Sequence, residues 1–170
     1  LEHNPWVSHI APVNGPWHNK FAGHSEAAAL RYVFGSPEVA ALRSAHFDIG
    51  IDVLGSQWGA LLMSRAGISY RMGVRGYAGG HSLANATVPF RADEHVGRMA
   101  LRFAEQLGAV DLPDPRPQLF LTDDERRIAN ARWSSPDGVR RIVIAASGGL
   151  PEKSWPLASH HALVAALLQQ

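Results

Sequence analysis

Apolar runs of strand length alternate with helix-like patterns along this 170-residue chain, and that alternation restricts it to an α/β fold built on a parallel sheet. The run at 47–54 is followed by Gly55-Ser56 and then by Trp58, Leu61 and Leu62 on one helical face, which Gly67 ends. The run at 69–74 leads into an irregular stretch, 75–92, and then into a helix over 95–107. Val96, Met99, Ala100, Phe103 and Leu107 mark the apolar face of that helix, and Gly108 stops it. Ser36-Pro37-Glu38 combines a capping hydroxyl, a proline at the first helical position and an early acid, so a helix starts there with Val39 and Leu42 inward. Nearer the start, Asn4-Pro5 reads as a helix end, followed by a short strand around 6–13 and a loop at 14–23.

Past the proline-rich stretch 112–117, Thr122-Asp123-Asp124-Glu125 is a capping box, which predicts a helix to about Trp133. Ser134-Ser135-Pro136-Asp137-Gly138 is turn chemistry. Beyond it come an apolar run at 141–146, a small-residue turn, and a helix from Pro156 with Leu157, His161, Val164 and Leu168 on one stripe. The expected division is therefore a first domain over 1–134, a linker at 135–139, and the first strand–helix unit of a second domain over 140–170. One such unit cannot bury its own strand. The sequence is accordingly expected to be a piece of a longer protein, with residues missing at both ends.

Composition narrows the function. A net charge of +1 gives no general electrostatic case for nucleic acid. The absence of cysteine removes disulfides, thiol catalysis and cysteine–zinc sites, and fits a cytoplasmic protein. Nine histidines are many, but none forms an HxxxH or HExxH pair, and adjacent His160 and His161 project in different directions from a helix, so no metal site is expected. No apolar run approaches the ~20 residues of a membrane span, and the N-terminus lacks the pattern of a signal peptide.

The chemistry concentrates where the 141–146 run turns into the last helix. Ser147, Gly148 and Gly149 allow close approach of an anion to the backbone, Lys153 adds a full positive charge, and Trp155 can wall the pocket ahead of Pro156. This is neither a Walker loop nor GxGxxG, and an ordinary surface lysine in a glycine-rich turn is the competing reading. Asp52 closes the 47–54 run, where ligands of open parallel sheets gather; alternatively it only bonds loop amides there, as Asp48 marks the entry. Arg71, Arg75 and Arg91, with His81 between them, suit an anionic saccharide, or else form a solvated loop. His95 reads as a cap rather than a catalyst, and Trp6, Trp17, Trp58 and Trp133 as core or boundary aromatics.

Four ordered segments resemble glycosyltransferase family 9, the bacterial heptosyltransferases of lipopolysaccharide inner-core synthesis. They are Phe47-Asp48 through Ile51-Asp52 to Gly55; Arg71-Met72-Gly73; His95 to Leu107-Gly108; and 142–146 with Ser147-Gly148-Gly149 and Lys153-Ser154-Trp155-Pro156. The resemblance implies a GT-B enzyme of two Rossmann-like domains, present here only in part, which inverts the anomeric centre without metal or cofactor. It implies a nucleotide-sugar donor, typically ADP-heptose, and a lipid-linked anionic saccharide acceptor reached at the cytoplasmic face of the inner membrane. Lys153 then stabilises the donor phosphate, with Ser147, Gly148, Gly149 and Trp155 beside it. Asp52, Gly55, Arg71, Arg75, His81 and Arg91 lie on the acceptor side. Ser147 stands where the family usually has proline. The family's glycine–aspartate turn with the general base, and its later donor motif, are expected outside these residues, so the piece alone is expected to be inactive. A saccharide-binding scaffold and a nucleotide-sugar epimerase are the alternatives.

Overall fold

The computed structural model describes residues 2–18, 25–134, 139, 141–146, 148 and 151–169. It forms two compact units, Leu1–Phe120 and Leu121–Gln170. In the first, the described elements run α1 (Glu26–Gly35), α2 (Pro37–Ser44), β1 (Ile49–Ile51), α3 (Gln57–Arg65), β2 (Tyr70–Arg75), β3 (Ala86–Pro89) and α4 (Val96–Gln106). The strands make one parallel sheet in the order β1-β2-β3, with Ile51 beside Met72 and Val74 beside Val88. The α/β class with a parallel sheet is as expected.

Local chemistry explains where the helices begin. Ser25, Ser36 and Ser56 cap α1, α2 and α3, their hydroxyls accepting from Ala28 N (3.4 Å), Val39 N (3.3 Å) and Gly59 N (2.9 Å). His95 caps α4 through Nδ1, which accepts from Gly97 N at 3.1 Å, so the capping reading of this histidine holds. Packing then orients the elements. Met72 and Val74 project from one face of β2, join Val88, and meet Met99 and Phe103 one turn apart on α4. All five are buried, each contributing roughly 1.5–3 kcal/mol on full burial. A second cluster of Met63, Ala66 and Ile68 includes Leu42 of α2. At Gly50 of β1 an added Cβ would lie 2.6 Å from Met63 Sδ, so this cluster seats directly on β1.

Several expectations change. Residues 6–13 form no strand, and α1 was not foreseen. The run at 47–54 is a strand only over Ile49–Ile51, because Asp52 bends the chain at its carboxyl end. The irregular stretch contains β3, four residues ending in proline at the sheet's edge, too short to show a period. On α3 the deepest side chains are Ala60 and Met63 rather than Trp58, Leu61 and Leu62, which are half-buried. On α4, Val96 and Leu107 are exposed while Met99 and Phe103 carry the packing.

The second unit contains α5 (Asp123–Trp133) and α6 (Leu157–Leu167). The Thr122 capping box is formed as expected, Thr122 Oγ1 accepting from Glu125 N at 3.2 Å and the Glu125 carboxylate accepting from Thr122 N at 2.7 Å. By packing, α5 groups with the residues after it; 135–138 of the expected linker lie outside the described residues. The 141–146 run is not a strand: no partner strand pairs with it among the described residues, and Ile142 and Val143 stay exposed. The expected stripe on α6 also shifts. Leu157 and Leu168 are 70% and 82% exposed, and the face turned to the 141–146 run carries His160, Leu163 and Leu167.

Two glycines bring the connections after β1 and β2 into backbone contact. Gly55 has φ +67° and a Cβ there would sit 2.5 Å from Val74 Cβ; a Cβ on Gly80 would sit 2.4 Å from the Gly55 carbonyl carbon. Gly80→Ala is expected to cost about 2–3 kcal/mol in urea unfolding, since the clash is with backbone. Gly35→Ala, with open space around the position, is expected to cost nothing measurable.

Candidate functional site

The carboxyl ends of the three parallel strands lie on one edge of the first unit, where side chains on the following turns can reach a ligand. Asp52 stands just past β1. Its Oδ1 accepts from Leu54 N (3.0 Å) and Gly55 N (3.1 Å), and its Oδ2 from Ser56 N (2.8 Å). The carboxylate therefore holds the β1–α3 turn, and Gly59 leaves room for it: a Cβ there would be 2.3 Å from Asp52 Oδ2. Gly55 contributes its carbonyl to Gly80 N at 2.8 Å. Arg75, the last residue of β2, is exposed, and its carbonyl takes Phe90 N at 2.8 Å. Exposed Arg91 follows β3, and the Tyr77 and Phe90 rings lie 4.7 Å apart at the same edge.

Arg71 is not part of that gathering. It sits at the amino end of β2, donating Nε to Leu83 O (2.7 Å) and Nη1 to Ile68 O (2.6 Å), while its own N–H is taken by Asn85 Oδ1 (2.8 Å). Its guanidinium ties the 76–85 connection to the start of the strand. His81 is exposed on that connection, its carbonyl accepting from Ala84 N at 3.3 Å. Thus Asp52, Gly55, Arg75 and Arg91 share one edge, and Arg71 stands at the other.

In the second unit, Lys153 ends a short 3-10 turn and lines a cavity of about 510 Å³ with Trp155, His160, Leu163 and Leu167. Ser147 and Gly149 lie outside the described residues. Gly148 is packed close: its N–H donates to Ser154 Oγ at 2.9 Å, and a Cβ on it would lie 3.0 Å from Lys153 Cβ. Trp155 and His160 have ring centroids 5.8 Å apart. His160 was missed as a lining residue. Both its nitrogens are buried with no hydrogen-bond partner. Helical spacing could not single it out, because α6 is apolar nearly all round and two stripes fit it equally.

The model of glycosyltransferase family 9 (heptosyltransferase) matches residues 39–170, which include both strand-edge turns and the Lys153 segment. The chain belongs to glycosyltransferase family 9. No curated protein and no solved structure matches it. As a glycosyltransferase it handles a sugar donor and an acceptor. No helix among the described residues is long and apolar enough to cross a membrane.

Two outcomes follow from this geometry. Asp52→Asn replaces an acceptor by an NH2 facing Ser56 N–H, and is expected to destabilise the fold by about 2–3 kcal/mol in chemical unfolding. Tyr32, edge-on to Trp17 at 5.6 Å, has its pKa raised by burial first and the Glu38 charge second. The folded state thus prefers the neutral phenol. Its stabilisation is complete below the unfolded value, about 10, and is lost as pH rises through the raised folded value. Unfolding midpoints are expected to fall across that alkaline range, and Tyr32→Phe to remove the part of the fall that this phenol causes.

Proposed function

We propose that this glycosyltransferase moves heptose, or a related sugar, from a nucleotide-sugar donor to the lipopolysaccharide inner core or a similar lipid-linked saccharide, at the cytoplasmic face of the inner membrane. The observation that carries the reading is Lys153 on the rim of the second unit's cavity, in a segment inside the family match. When the bond between the anomeric carbon and the donor oxygen breaks, a diphosphate leaves with growing negative charge. An ammonium held beside it favours that charge more in the transition state than in the ground state, with no divalent cation required. Trp155 and the aliphatic wall of Leu163 and Leu167 offer apolar surface to the nucleoside. On the acceptor side, Arg75 and Arg91 supply exposed cations at the sheet edge, suited to carboxylate or phosphate on the acceptor.

Lys153→Ala in the full-length protein is expected to lower kcat/KM for ADP-heptose about a hundredfold, read as acceptor-dependent ADP release, with the unfolding midpoint unchanged. Undiminished turnover in that variant would remove the lysine from the mechanism. ADP release that ignores the acceptor would count against transfer.

A further inference from the structure

A cavity of about 290 Å³ in the first unit is lined by Trp17, Glu26, Ala29, Gln57 and Trp58, with Pro16 and Ser25 at its margin. We propose that it is a subsite for one uncharged pyranose ring; this rests on the reading of the chain as a glycosyltransferase and names part of its acceptor.

The aromatic wall is built in advance. Trp17 and Trp58 stack with centroids 6.0 Å apart and planes 21° from parallel, and Tyr32 braces Trp17 edge-on. Behind Trp17, a Cβ on Gly15 would meet the indole at 2.6 Å, so only glycine lets the ring fold back there. A wall fixed by its neighbours loses little freedom on binding. Its π surface attracts the C–H-bearing face of a sugar, whose hydrogens carry partial positive charge. Hydroxyls at the ring edge then need partners. Glu26, the first residue of α1, offers an acceptor; the Gln57 carboxamide, at the start of α3, offers both a donor and an acceptor. Both residues are exposed.

Size and charge set the ligand class. The volume is at the small end for ligand pockets, enough for a single ring. Glu26 is the one charged group among the described lining residues, so a ring bearing its own carboxylate or phosphate is repelled here. Such groups belong instead with Arg75 and Arg91. The cavity adjoins the strand edge because Gln57 N donates to Ala78 O at 2.9 Å and Gly80 N to Gly55 O. Five of the seven lining residues, from Pro16 to Ala29, precede residue 39, so most of the subsite lies outside the family match.

The test uses the full-length protein without donor, titrated with methyl mannopyranoside, glucuronate and tetramethylammonium, and read by tryptophan fluorescence and saturation-transfer NMR. The neutral glycoside is expected to bind, with saturation reaching its ring protons from aromatic side chains. Trp58→Ala should weaken it about tenfold, and Glu26→Gln should admit glucuronate. If Trp58→Ala proves unfolded by circular dichroism, Gln57→Ala at its exposed position carries the same expectation. Equal binding of glucuronate by the unaltered protein, displacement by tetramethylammonium, or no effect of the folded variants overturns the subsite. Acceptor-dependent ADP release is measured on the same preparations: transfer without glycoside binding rejects this subsite alone, and glycoside binding without transfer rejects the transferase reading.

Discussion

The first unit depends on one carboxylate. After only three strand residues the chain must reverse into α3, and the turn at 54–56 presents three N–H groups together. Left unpaired, the part-buried Gly55 and Ser56 N–H groups would cost about 1–3 kcal/mol each, while the Leu54 N–H is open to water. Asp52 satisfies all three, which is why the strand stops where it does and why Ser56 is placed to cap the next helix. The turn so fixed becomes the template for the following connection: Ser56 bridges Gly79, and the Gly55 and Gly80 backbones touch. The sheet's carboxyl edge is thus made of main chain bonded to main chain, and Trp58 and the arginines stand on a frame that does not depend on their own side chains.

This frame also explains which parts of the structure the sequence made legible. Helix starts were readable because a cap is a local matter: Ser36-Pro37-Glu38 and the Thr122 box need no tertiary partner. Asp52 was read with two alternatives, and the amide-binding one describes its contacts, again a local hydrogen-bond pattern. Arg71 and Arg75 lie close in sequence, but the three strand residues between them reach from the amino edge of the sheet to its carboxyl edge. Only the pairing of β2 with β3 reveals that the Arg71 guanidinium meets Leu83 O. The Trp17–Trp58 stack joins residues far apart in the chain, and nothing in either neighbourhood announces it.

The second unit shows the complementary limit. Its 141–146 run has strand composition, yet strand structure needs a neighbour's N–H and C=O groups as well as apolar side chains. Composition reports the tendency; pairing decides the outcome. The same reasoning applies to α6, whose apolar residues surround the axis, so that the face it presents is set by whatever packs against it.

At the proposed donor site the geometry redistributes the work expected of the turn. Glycine-rich turns ordinarily hold phosphate through free backbone N–H groups, which act as partial charges. Here the Gly148 N–H is given to Ser154 Oγ, and the glycine's lack of a side chain serves instead to let the Lys153 backbone come close. In the proposed mechanism a larger share of charge neutralisation therefore falls on the Lys153 ammonium, a full charge on a flexible stem at an exposed position. Interactions of that kind are screened by salt within a Debye length, whereas short backbone contacts in a closed turn are screened much less. Donor use by this enzyme should accordingly be more sensitive to ionic strength than that of a transferase whose turn amides all remain open to the phosphate. In that proposed mechanism the ammonium can also follow the diphosphate as it separates, which a rigid amide cradle cannot do.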